Sequence, residues 1–125
     1  MRRLIAAVLA TLCVLNGSMM LCASPTWYAR VPGASETGPY NAHFVEDIGA
    51  AFFISGLALA ARAWRPVYWP AAVAGASFLA IHGLIHLVEI ASGHDHHTGF
   101  DLIAVVLPSA LALYSAFPTQ GERHA

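Results

Sequence analysis

Residues 81–101 concentrate titratable groups: five histidines, two aspartates and a glutamate in a chain that is 58% hydrophobic and 10% charged. His82, His86 and Glu89 are spaced i, i+4, i+7, so at about 100° per residue they share one narrow stripe of a helix. Imidazole nitrogens and carboxylate oxygens suit iron, zinc, copper and manganese, and an i, i+4 histidine pair can bind one ion from one side. The pattern predicts a metal site.

Two further groups have similar spacing. His43, Glu46 and Asp47 are i, i+3, i+4 on another predicted helix, and His97 and Asp101 are four apart at the start of a third. We expect some side chains to bind the ion and others to orient those ligands. The predicted metal residues are His43, Glu46, Asp47, His82, His86, Glu89, His97 and Asp101, and the ion is a transition metal, with iron, copper and zinc left open.

Two other groups of side chains are weaker candidates. His94 and His96 lie in a short histidine-rich loop, and such tracts bind metals readily without that being their purpose, so their role is left open. Met19, Met20 and Cys22 offer soft sulfur that would favour Cu(I), although methionine in an apolar helix is usually there for packing.

Four stretches are apolar over about the 20 residues that a spanning helix needs. They cover 4–23, 43–63, 69–91 and 99–117. The sequence predicts an all-α integral membrane protein: a single domain over 1–125, folded as a four-helix up-down-up-down bundle. A cleaved secretory signal is the alternative for the first stretch, but that stretch is longer than the 7–15 residues expected of a signal core.

Arginine sets the predicted orientation, because the chain contains no lysine. The amino-terminal end, the second-to-third loop and the tail carry five arginines, and Arg30 alone falls on the other side. The positive-inside rule therefore places both termini in the cytoplasm. With this topology the titratable residues meet at the opposite, outer end, from three separate helices.

Several local features follow from residue types. Pro25 is expected to end the first helix, with turns from 24 to 42, and Asn41 to cap the second helix. Pro108 is expected to kink the fourth helix. Cys13 and Cys22 are nine residues apart on one helix, on different turns and roughly opposite faces, which argues against a disulfide between them.

The depth of the polar stripe in the membrane indicates which way its side chains face. His82 lies nine residues before Ala91, on the order of 14 Å along a helix, which approaches the bilayer midplane. A charged side chain at that depth costs roughly 2.5–3.5 kcal/mol, so the stripe is expected to face the bundle interior. A structural hydrogen-bond network between helices is the alternative to a metal site.

The outer loop and second helix carry a resemblance. Trp27-Tyr28, Val31-Pro32-Gly33, Thr37-Gly38-Pro39-Tyr40-Asn41 and 43–49 (HFVEDIG) resemble a family of small bacterial membrane proteins with a DoxX-like four-helix layout. The resemblance covers about a quarter of the chain and implies the bundle fold and a bacterial inner membrane. It implies no reaction. Such proteins more often carry arginine at position 46, so Glu46 favours a cation in the pocket.

The functional hypothesis is therefore an inner-membrane metal-binding protein with its site near the periplasmic face, with redox or oxygen chemistry as one use of the ion. The alternatives are an accessory or structural subunit of a membrane complex, and transport or sensing of a metal ion or proton. The expected partners are the lipid bilayer and either further copies of the chain or a larger complex. With a net charge of −1 and no basic run, nothing indicates nucleic acid.

Overall fold

All regular structure is helical in residues 1–93 and 97–122, the part that the computed structural model describes. Six α-helices follow one another: α1 (Arg2–Cys22), α2 (Ser24–Arg30), α3 (Ala42–Trp64), α4 (Trp69–Ser92), α5 (Thr98–Asp101) and α6 (Leu107–Ala116). A π-helical turn, Leu102–Val106, joins α5 to α6. Short 3-10 turns cover Ala34–Glu36, Pro66–Tyr68 and Gln120–Glu122.

Four helical segments are long and apolar enough to cross a membrane. They are Arg2–Cys22, Ala42–Trp64, Pro66–Ser92 and Thr98–Ala116, of 21, 23, 27 and 19 residues. The four predicted apolar helices are thereby confirmed, as expected of a membrane protein.

Local predictions have mixed outcomes. Asn41 caps α3, its side-chain oxygen accepting from the Phe44 backbone N–H at 3.2 Å, and both cysteines are free. The turns expected after Pro25 are wrong in part, because Ser24–Arg30 forms α2. Pro25 lies in the first turn of that helix, where a missing backbone N–H breaks no hydrogen bond.

Glycine allows α1 and α3 to touch backbone to backbone. A Cβ added at Gly17 would lie 2.6 Å from the Gly49 carbonyl oxygen and 2.6 Å from the Phe53 nitrogen. Without a hydrophobic force between helices in lipid, such close approach maximises dispersion and holds the pair together. The sequence therefore places glycine where the two helices cross.

Small residues also line the other helix contacts. Gly83 on α4 faces Ser109 on α6, whose Cβ would lie 2.9 Å from an added Cβ. The Ser109 hydroxyl donates to the Val105 carbonyl of its own helix at 2.7 Å, so its polar group is satisfied within an apolar contact. Among the described residues, half of the buried hydrophobic side chains are alanine, namely Ala6, Ala10, Ala72, Ala76, Ala112 and Ala116.

Arginines gather at one end of the bundle and bind the carboxyl ends of helices. Arg3 donates to the Ala63 and Trp64 carbonyls at 2.9 and 2.8 Å. Arg2 donates to Phe117 at 2.9 Å and to the next carbonyl at 3.1 Å. The last carbonyls of a helix have no partner within the helix, and the helix dipole favours cations there. The start of α1 is thus tied to the ends of α3 and α6.

Arg62 is fully buried at the same end, with 0% exposure. Its guanidinium donates to Glu122 at 2.8 Å and to the Ala116 carbonyl at 3.3 Å. The backbone N–H of Thr119 also donates to the Glu122 carboxylate, at 2.8 Å. The Thr119 hydrogen bond, followed by Arg62, lowers the pKa of Glu122 from its ordinary 4.5. The segment after α6 is thereby fastened across the end of α3.

Gly17→Ala should destabilise the bundle by about 1–3 kcal/mol, because the methyl group collides with backbone atoms of α3 that cannot rotate away. Gly99→Ala is the matched control, since nothing lies within 4 Å of a Cβ at that position. The free energy of unfolding in mixed micelles measures both. Equal stabilities of the two variants would contradict the close contact.

Glu122→Gln should lower the unfolding temperature at neutral pH. The pKa of Glu122 is lower in the folded than in the unfolded chain, so its carboxylate stabilises the fold above about pH 4.5, and this contribution is lost as pH falls through the folded pKa. The difference between wild type and variant should therefore shrink on acidification, as measured by thermal unfolding in detergent across pH. A difference that is constant with pH would contradict the ion pair.

Candidate metal centre

The site is built around a hydrogen bond between α4 and α5. His86 Nδ1 lies 2.6 Å from Asp101 Oδ2. The side chains are 22% and 9% exposed respectively, so the bond is largely shielded from solvent. Shielding from solvent strengthens a hydrogen bond of this kind.

Glu89 brings a second carboxylate to the same histidine from one turn further along α4. Its Oε2 lies 3.9 Å from His86 Nδ1, and its side chain is 53% exposed. One ligand atom each from His86, Glu89 and Asp101 all lie within 4.8 Å of one another. Within residues 1–93 and 97–122 no other set of three His, Cys, Asp or Glu side chains meets in this way.

The π-helical turn decides which way Asp101 points. Asp101 and Ser109 are eight residues apart, which would separate them by about 80° around a regular helix. A π turn takes one additional residue. This rotates Asp101 by about 100° and leaves it about 20° from Ser109, on the opposite side of it. Asp101 therefore lies on the face of Ser109, which packs against Gly83 of α4, and it reaches His86. Pro108 is the second residue after the turn, and it lacks the N–H that would continue a regular α ladder.

His82 lies one turn from His86, among aromatic rings. The His82 and His86 ring centroids are 4.8 Å apart and nearly perpendicular. Phe78 stacks parallel to His82 at 6.1 Å, and Phe52 of α3 meets its edge at 5.4 Å. The apolar rings fix the plane of the imidazole beside His86, but His82 is outside the three-residue group.

The predicted residues on α3 make other contacts. His43 Nε2 lies 3.5 Å from Asp47 Oδ2, and the two side chains are 87% and 64% exposed. Glu46 accepts from the Ser24 hydroxyl at 3.1 Å, and that hydroxyl also bonds Tyr40 at 2.8 Å. The contacts of Ser24 hold residues 24–41, the outer segment between α1 and α3, against α3. His43, Glu46 and Asp47 do not join the group around His86.

His97 and the weaker candidates also lie apart from the group. His97 Nε2 bonds the Glu36 carboxylate at 2.8 Å, which attaches the outer segment to the start of α5. The Met20 sulfur accepts from Asn16 at 3.5 Å, and the exposed Cys22 is no part of the group. His94 and His96 lie outside the described residues.

Three residues that contact the predicted site residues were not themselves predicted from sequence. Phe78, four residues before His82, could have been identified by helical spacing. Phe52 and Glu36 could not, because each comes from a different part of the chain and the sequence carries no signal that pairs them with His82 or His97.

The donor set determines what the site can hold. One imidazole and two carboxylates offer nitrogen and oxygen ligands of the kind that divalent transition metals accept. Both carboxylates approach the same ring nitrogen, His86 Nδ1, at 2.6 and 3.9 Å, so an ion held by all three side chains would replace the proton between His86 and Asp101. The residues present therefore fit a transition-metal ion.

Comparison of the chain with protein families, with curated proteins and with solved structures finds no match. What the fold and the site define is a class: an all-helical protein with four apolar helices of membrane-spanning length and a cluster of one histidine and two carboxylates between α4 and α5. Its function is inferred below from that cluster.

A double-mutant cycle should measure the bond between α4 and α5. We expect His86→Ala and Asp101→Ala in metal-free protein to show a coupling of about 1–2 kcal/mol, the upper end for hydrogen bonds between membrane helices. The same cycle on His43 and Asp47 should show negligible coupling, since that pair is exposed to solvent. Unfolding in mixed micelles provides the four free energies of each cycle, and equal couplings would contradict the geometry.

Proposed function

We propose that this protein is an integral membrane metalloprotein of the bacterial inner membrane, which holds a transition-metal ion between α4 and α5. The observation that carries the proposal is the meeting of His86, Glu89 and Asp101 within 4.8 Å. Burying a titratable side chain in an apolar helical protein costs free energy unless the side chain is paired or binds a metal ion. A metal ion would give the two carboxylates and the imidazole a common partner.

Contacts at the arginine end support an up-down-up-down bundle with both termini on one side. Arg2 and Arg3 attach the start of α1 to the ends of α6 and α3, so α1 runs opposite to both. The arginines place this end in the cytoplasm by the positive-inside rule. The metal centre then lies towards the periplasm, near the other end of α4.

The donors favour iron, zinc or Cu(II) over Cu(I). Cu(I) prefers sulfur, and no cysteine joins the described cluster. Asp101 and His86 would bind the ion from the buried side, and the half-exposed Glu89 would bind it from the open side. Such an ion supplies Lewis acidity or, if it is iron or copper, redox chemistry. Because the Glu89 side chain is 53% exposed, water or a small substrate would have access to the ion from that side.

The metal content of the purified protein tests the proposal. Protein prepared in detergent from metal-replete cells should contain about one transition-metal ion per chain by mass spectrometry. Asp101→Asn and His86→Ala should each weaken affinity by at least about tenfold, the smallest loss expected even for an orienting residue. Calorimetric titration of stripped protein with Zn²⁺ measures this.

His43→Ala is the matched control, because that histidine has its own carboxylate neighbour but lies outside the group. It should keep wild-type affinity. His82→Phe preserves the aromatic packing, and its Zn²⁺ affinity shows whether the His82 ring also binds the ion. Metal retention by His86→Ala, or a metal-free protein that does not bind Zn²⁺, would contradict the proposal.

A structural role as an accessory subunit is the second candidate. It is favoured by one observation: the 2.6 Å bond already joins α4 to α5 without an ion. In that role Asp101→Asn would lower stability to the same extent with and without a chelator. In a metalloprotein, the chelator would destabilise the wild type and leave the variant unchanged, because a bound ion stabilises only the state that binds it.

A further inference from the structure

Positive charge at the arginine end is incompletely neutralised. Arg2, Arg3, Arg62 and Arg65 lie there, and Glu122 is the carboxylate that the described residues bring to them, where it pairs with Arg62. The remaining described acids have other partners: Glu36 contacts His97, Glu46 contacts Ser24, Asp47 contacts His43, and Glu89 and Asp101 contact His86. Three guanidinium groups therefore have no carboxylate partner within 1–93 and 97–122.

Two of these guanidinium groups flank one tryptophan. Arg3 donates to the Trp64 carbonyl at 2.8 Å, and the Arg65 guanidinium lies over the Trp64 ring, 4.6 Å from its centroid. Tyr68 stacks with the same ring at 6.1 Å. Trp64 is 64% exposed, so the whole arrangement faces outward at the end of a membrane-length helix.

Arg3 is held in place while part of its donor set stays free. Its Nε and Nη2 are bound to two carbonyls, which leaves Nη1 for an external acceptor. Arg2 differs, because its guanidinium binds carbonyls of the α6 end and lies over the Tyr114 ring. Arg3 and Arg65 are thus the two guanidinium groups that both contact Trp64 and have donors left for an anion.

Exposed apolar side chains are close to this pair in the chain. Leu4 is 70% exposed and Val67 is 68% exposed, next to Arg3 and close to Arg65 in sequence. A ligand that fits must combine an anionic group for the guanidiniums with hydrocarbon for these side chains. Arginine binds phosphate oxygens well, and interfacial aromatic rings lie at headgroup level.

We propose that Arg3, Trp64 and Arg65 form a binding site for the phosphate headgroup of an anionic phospholipid on the cytoplasmic side. The shared chemistry is a phosphate, and the source is the lipid, because the exposed apolar side chains offer contacts that free phosphate cannot use. The site is separate from the metal centre and does not require a bound metal, but it rests on the membrane orientation that is part of the proposed function.

Lipid binding by the full chain tests the proposal. Protein in micelles with equal amounts of phosphatidylglycerol and phosphatidylcholine is analysed by native mass spectrometry, which counts bound lipids. Wild type should prefer phosphatidylglycerol, and Arg65→Gln should reduce that preference about fivefold, the effect of about one basic residue near an anionic surface. Arg65 is suited to this test because its contact with Trp64 is through the ring, so the variant is expected to fold.

Arg30→Gln is the matched control, since Arg30 ends α2 on the outer side and its loss should leave the preference unchanged. Arg3→Lys keeps the charge but loses the planar guanidinium that can bind a phosphate through two hydrogen bonds. Its preference for phosphatidylglycerol should lie between those of wild type and Arg65→Gln. Millimolar inorganic phosphate at constant ionic strength should leave the bound lipid in place. Equal binding of the two lipids, an equal loss in Arg30→Gln, or displacement by inorganic phosphate would overturn the proposal.

Discussion

The site depends on one constraint: a titratable side chain inside an apolar bundle needs a polar partner, and the partner of His86 lies on another helix. His86 meets this constraint through Asp101, at 2.6 Å and with both side chains largely buried. That bond fixes the separation and rotation of α4 relative to α5, and so determines where Glu89 can reach. The candidate metal centre is therefore a consequence of helix packing as much as of residue choice.

Close packing is what allows the helices to carry such a bond. At Gly17 and Gly49 the backbones of α1 and α3 are in contact, and on the other side of the bundle Gly83 lets α4 approach Ser109. The position of Asp101 then depends on the π-helical turn Leu102–Val106, which brings that residue onto the face that packs against α4. π turns of this kind occur frequently at functional sites.

The two ends of the bundle have opposite chemistry. At one end arginines bind helix carboxyl ends and the segment that contains Glu122. At the other, carboxylates pair with imidazoles, within α3 for His43 and Asp47 and between α4 and α5 for His86 and Asp101. The same separation of charge supports both an orientation in the membrane and two different ligands, a metal cation at the acidic end and a lipid phosphate at the basic end.

Sequence by itself determined the four apolar helices, the cap at Asn41 and the shared helix face of His86 and Glu89, because each depends on residues close together in the chain and on regular helical spacing. Only the tertiary structure decided that Asp101 meets His86 while His43 and Asp47 pair with each other on an exposed face. The helix α2 was missed because Pro25 can begin a helix as well as end one. Spacing along one helix predicts a face, but the partner of that face depends on helix rotation, and here one additional residue in a π turn changes that rotation by about 100°.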